Sequence, residues 1–90
     1  MKTKDQANET LFYVEALLAA VDVEEDIQEQ GRKLREHLAR VADSPADQRV
    51  RALRDAGGRL AESVCKGEEL DPLLLAWAYT LAGMVEEGLA

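Results

Sequence analysis

From Pro72 to Val85 the chain reads PLLLAWAYTLAGMV without one charged residue, although 32% of the whole protein is charged. A stretch of this kind has to be covered by the chain's own helices, by a second copy, or by a partner. Its 14 residues fall short of the roughly 20 that a membrane-spanning helix needs. Asp71 stands where a cap belongs, Pro72 where its missing N–H costs nothing, and Leu70 where it can staple onto Leu75. A helix over 72–87, ended by Gly88, follows.

The phase of that helix divides its apolar residues in two. At 100° per residue Leu74, Trp77, Leu81 and Met84 share an arc, and Leu75, Tyr79 and Ala82 share another about 140–180° away. The first arc is assigned to the core. A surface helix needs only one such stripe, so the second, extended by Leu73 and Leu89, is the expected protein interface. The alternative is a central helix wrapped on both sides.

Ninety residues make a single domain, 1–90, and a chain this size buries only roughly 60–65% of the surface it exposes when unfolded. Cys65 is the only cysteine, so no intrachain disulfide can reinforce the core, and a Cys/His metal site has only Cys65 and His37 to draw on. No metal and no cofactor is expected. Oligomerisation or a partner remains, and a homodimer through the last helix is anticipated. An unpaired cysteine suits a reducing compartment, and MKTKDQANET has no signal-peptide core. The expectation is a cytoplasmic protein with no membrane association.

Ala, Leu, Glu, Arg and Gln dominate, which is helix composition. The first helix is placed at about 8–21, starting from Asp5 or Asn8, with Leu11, Val14, Leu17, Leu18 and Val21 on its buried stripe. Leu11-Phe12-Tyr13-Val14 has strand propensity as well, which leaves a short extended start open. Ile27, Leu34, Leu38 and Val41 form a second stripe, rotated by roughly 150° from the first on one continuous helix. Asp22 and Glu25 have capping-box spacing, so a break is placed near Asp22 and a second helix at 23–42. A single helix of more than about 30 residues is the alternative. Gly31 falls on the apolar face.

Ser44-Pro45-Ala46-Asp47 is a helix start, and Ala46, Val50, Leu53, Gly57, Leu60 and Val64 alternate spacings of four and three. A third helix over 45–66 with Gly67 as its C-cap follows, Gly57 lying in the seam where a neighbour can come close. The fold class is therefore all-α: a small four-helix bundle built on a central antiparallel hairpin of helices two and three, and dimeric.

The net charge is −7, which makes nucleic acid an unlikely partner. Residues 32–59 carry eight basic against four acidic side chains, among them Arg32, Lys33, Arg35, Arg40, Arg49, Arg51, Arg54 and Arg59. Asp47, Arg51, Asp55 and Arg59 form a ladder of opposite charges, and Glu29–Lys33, Arg32–Glu36–Arg40 and Glu62–Lys66 repeat its spacing. No aromatics interleave for base stacking, so solvated helix faces explain these charges better. The acidic run Asp22, Glu24, Glu25, Asp26 and Glu29 lacks the loop pattern of a calcium site. Capping is preferred for it, docking of a basic partner second. Cys65, beside the seam, is taken as a small hydrophobe and His37 as a polar-face residue, and no catalytic motif joins them.

The segments TLFYV and LLLAWAYTLAGMVEEGL resemble a family of short acidic proteins of pseudomonads and their relatives. The resemblance implies no enzymatic activity, a bacterial regulatory or accessory role, and no site residues. With the apolar face it gives the functional expectation: a non-catalytic regulator that binds another protein. One example is an anti-activator that blocks a transcription factor's dimerisation surface. A secretion-type chaperone or a nucleic-acid-associated regulator is the alternative, and a small dimeric helical enzyme is less favoured.

Overall fold

A computed structural model describes residues 2–40 and 48–89 of the chain, with side chains over 8–40 and 48–88. Four helices account for these residues: α1 (Lys2–Val23), α2 (Ile27–Arg40), α3 (Gln48–Cys65) and α4 (Pro72–Leu89). The expected all-α bundle is the fold. α1 has 22 residues, about 33 Å of helix, and this sets the longest dimension of the molecule, 35 Å. It begins at Lys2, ahead of both expected caps, because nothing between Lys2 and Asn8 breaks a helix. The Leu11–Val14 stretch is helical, not extended.

α2 and α3 make the most extensive pairing, as the hairpin requires. α1 and α3 each touch all three other helices, while α4 packs on α1 and α3 and has no contact with α2. The core is drawn from one face of each helix. Val14, Leu17, Leu34, Leu53, Leu60 and Leu81 are its largest fully enclosed apolar side chains. The expected stripes of α1, α2 and α3 all point inward, with Val21, Ile27 and Leu38 half-buried at the edges. Val41, Ser44, Pro45, Ala46 and Asp47 lie outside the described residues.

Two glycines let the helices approach. A Cβ on Gly31 would stand 2.8 Å from Val64 Cγ1, and one on Gly57 would stand 2.9 Å from Val14 Cγ2. Both neighbours are β-branched and stiff in a helix, so neither can yield cheaply. Glycine at the α2–α3 and α1–α3 contacts thus offsets its poor helix propensity by closer packing.

The two short connections end their helices in the same way. After α3, Gly67 has φ 74°, its N–H bonds to the Val64 carbonyl, and the Glu68 N–H reaches the Ser63 carbonyl. That is a Schellman motif with the expected glycine. After α1, Glu24 N–H bonds to the Val21 carbonyl and Glu25 N–H to the Ala20 carbonyl. There the left-handed position is filled by Glu24, φ 57°, with Asp26 at φ 56° two residues on. The break therefore comes at Glu24–Asp26, slightly later than placed from the sequence. Asp22 belongs to the last turn of α1, and the Asp26 carbonyl takes the first α2 bond, from the Gln30 N–H. A left-handed non-glycine residue costs about 1–2 kcal/mol, partly offset by the lower unfolded-state entropy of Glu. Glu24→Gly should raise the unfolding free energy by about 0.5–1 kcal/mol in urea titrations. No gain would mean that the turn is not held left-handed.

Candidate interaction surface

α4 starts as its sequence dictates. The Asp71 carboxylate accepts from the Leu73 N–H at 2.9 Å, and the Asp71 carbonyl accepts from the Leu75 N–H. Its orientation departs from expectation. The innermost residues are Ala78, Leu81, Ala82 and Val85, with Leu74 and Leu75 packed against them. Trp77 and Met84, assigned to the core, are 49% and 38% exposed. Ala82, assigned to the interface, is buried. The reason is geometric: α4 lies between α1 and α3, and the closest position admits Ala78 and Ala82 where an indole would not fit. The spacing of Ala78, Leu81, Ala82 and Val85 is itself a buried helical stripe.

What α4 turns to solvent is accordingly a face of Leu73, Ala76, Trp77, Thr80, Gly83 and Met84. Leu73 is 80% exposed. The Thr80 hydroxyl is turned back onto the Ala76 carbonyl at 3.0 Å. Of the residues expected at the interface, Leu73 lies on this face. Leu75 is half-buried, Tyr79 sits at the α1 side, and Leu89 lies outside the described side chains. Tyr79 is half exposed and its hydroxyl donates to the Leu18 carbonyl at 3.2 Å.

Between α1 and α4 runs a groove of about 740 Å³, with Leu18 and Ala82 in its floor, Tyr79 along one wall and Glu15, Asp22 and Glu86 among its lining residues. Partial desolvation, then the charge of Glu86, then a side-chain hydrogen bond with Glu86 hold the Glu15 carboxyl above the usual carboxylate range. Proton uptake is thus easier in the folded chain than in the unfolded one. Glu15 favours folding at low pH, and that contribution is lost as pH rises through its raised pKa.

Of the other candidates, Arg51, Arg54 and Arg59 line an open hollow of about 460 Å³ on α3 together with Asp55 and Glu62, so the carboxylates accompany the basic groups there. Arg59 pairs with Asp55 at 3.6 Å, Lys66 with Glu62 at 2.9 Å, and Arg32 with both Glu36 and Glu29, all well exposed. Asp55–Arg59, Arg32–Glu36 and Glu62–Lys66 are pairs that the spacing predicts, whereas Glu29, expected to meet Lys33, pairs with Arg32. Asp47 lies outside the described residues. Among the described residues no group of three metal-ligating side chains occurs, and no helix is long and apolar enough to cross a membrane.

Cys65 is exposed, beside Gln28, Glu29 and Arg32 at the start of α2. It does not pack as a small hydrophobe. His37, near the other end of α2, is enclosed at 2% exposure and does not lie on a polar face. Its Nε2 is 2.9 Å from Thr10 Oγ1, and its ring stacks on Tyr13 at 4.8 Å. Glu9 Oε2 stands 3.8 Å from Nδ1. The order hydroxyl, imidazole, carboxylate is that of an activated nucleophile. However, Thr10 is itself 2% exposed, so no substrate can approach its oxygen in this arrangement. The contact ties α1 to α2. Burial is the first cause that lowers the His37 pKa, with Arg40 and Arg54 acting the same way against Glu9. Half of the signal for this tie is in the sequence: Thr10 is in phase with Val14, Leu17 and Val21 on the α1 stripe, whereas His37 is offset from Ile27, Leu34 and Leu38 on α2.

Comparison of the chain with protein-family models, with curated proteins and with solved structures found no match.

Proposed function

We propose that this protein is a non-catalytic regulator that binds another protein through the outer face of α4. The observation that carries the proposal is the charge-free exposed row Leu73, Trp77 and Met84, three of the four large apolar side chains left open on that helix, with Tyr79 as the fourth beside the α1 groove. Trp and Met are enriched at protein interfaces and wasteful on a free surface. An anti-activator that lays α4 in the groove a transcription factor uses for its own dimerisation is the preferred form. A secretion-type chaperone, covering an amphipathic segment of its client, uses the same face. The resemblance to short acidic bacterial proteins accords with either role.

Trp77 is the sole tryptophan, so the face carries its own reporter. A photo-crosslinking residue at Leu73 is expected to give one discrete adduct in the native cell, lost in Trp77→Ser, while a crosslinker at Arg59 gives none. Trp77→Ser should cost about 1–2 kcal/mol and leave the bundle folded, since only half of the indole is buried. An adduct with a second copy of the chain would establish the homodimer. Equal adducts from both positions, or none from Leu73, would sink the proposal.

A further inference from the structure

The α1–α4 groove is separate from the outer face of α4 but adjoins it at Gly83, which lines the groove. Its chemistry is divided: an apolar floor and one aromatic wall, with carboxylates above them. Glu15 and Asp22 are two turns apart on α1, about 10.5 Å along one face. Glu86 reaches the Glu15 end from α4. No basic side chain lines the groove among the described residues, so two carboxyls are held together with no cation between them.

A second copy of the chain is a poor occupant. Pairing groove to groove sets Glu15, Asp22 and Glu86 of one copy against the same carboxylates of the other, and like-charge juxtaposition is costly at an interface. Charge complementarity selects a cationic occupant instead.

We propose that the groove between α1 and α4 seats a basic amphipathic helix of the partner protein. Lys or Arg residues two turns apart on that helix meet the Glu15–Glu86 pair and Asp22, and its apolar residues rest on Leu18, Tyr79 and Ala82. This deepens the interaction role proposed above and rests on it, since it names the chemistry of the partner. The bound cation also relieves the repulsion between Glu15 and Glu86, so part of the attraction comes from a contact that is unfavourable in the free protein.

The probe is a synthetic Leu/Lys amphipathic helix of about five turns, with a Leu/Glu counterpart, titrated into the whole chain and followed by amide chemical shifts. Shifts are expected at Leu18, Ala19, Asp22, Ala82 and Gly83, with none from the acidic peptide. Affinity should fall about tenfold or more in Glu15→Gln/Glu86→Gln and less than about twofold in Glu24→Gln/Glu25→Gln, which removes two charges outside the groove. Trp77→Ser should bind the probe as the wild type does. Equal losses in the two charge variants, shifts centred on α2 and α3, or no binding at low salt would overturn the groove assignment. If the Leu73 crosslink fails while the groove results hold, the α4-face reading is what fails.

Discussion

Leu34→Ala is expected to lower the unfolding free energy by about 3–4 kcal/mol, close to half of what a domain of this size holds. Leu34 is fully enclosed, and its Cδ2 would lie 3.4 Å from a Cβ placed on Gly57. The neighbour across the contact thus has no side chain to move into the space, and the cavity stays open. Gly57→Ala alone overpacks against Val14 Cγ2, 2.9 Å away. That costs about 1–3 kcal/mol, against a helix-propensity gain of about 1 kcal/mol. Combined, the two changes partly compensate, because the space Leu34 vacated lets α3 shift and carry the added methyl away from Val14. The double variant should therefore be less destabilised than the sum of the singles. Urea unfolding of the three variants decides it. Strict additivity would mean that α1, α2 and α3 do not meet at Gly57.

His37→Ala should cost about 2–4 kcal/mol, from the cavity and from a Thr10 hydroxyl left without its ring partner. The larger consequence is with pH. Burial lowers the His37 pKa below its usual value, so between the two pKa values the unfolded chain binds more protons than the folded one. Stability from this group is complete above about pH 6.5 and declines as pH falls through that window. The groups around the ring are Glu9, Thr10 and Tyr13 from α1, Arg40 from α2 and Arg54 from α3. Only Glu9 favours the charged ring. Glu15, whose pKa is raised, acts with the opposite sign, so the wild-type slope is a difference. Thr10→Val/His37→Leu replaces both partners with apolar groups and should remove the acid-side decline at little cost in stability near neutral pH. Urea titrations at about pH 7.5 and 5.5, spanning the ordinary His pKa, provide the test. An identical change in both proteins would show that His37 is not buried neutral.

The readable parts of this sequence were those where one helix carries the whole signal. α3 alternates its buried residues so regularly that Val50, Leu53, Gly57, Leu60 and Val64 are all enclosed as their spacing requires. The Asp71-Pro72 start and the Gly67 stop were likewise local chemistry. Pairwise features were hidden. His37 looked polar beside Glu36 and Arg40, because its partner Thr10 lies on another helix. Glu15 and Glu86 each belong to a helix face that looks solvated until α1 and α4 are set side by side. α4 itself was misread in rotation: its most informative residues were the alanines, and a small residue gives no sign in sequence of how closely its helix is approached.

The pattern of helix contacts bears on how the bundle comes apart. α4 touches α1 and α3 but leaves α2 untouched, whereas the buried glycines Gly31 and Gly57 bring α1, α2 and α3 close together. The least disruptive partial opening therefore releases α4 and keeps the other three helices docked. Such sub-global openings lie well below the cost of complete unfolding. The segment proposed to meet the partner is the one the domain can detach first, with the three glycine-packed helices as its anchor.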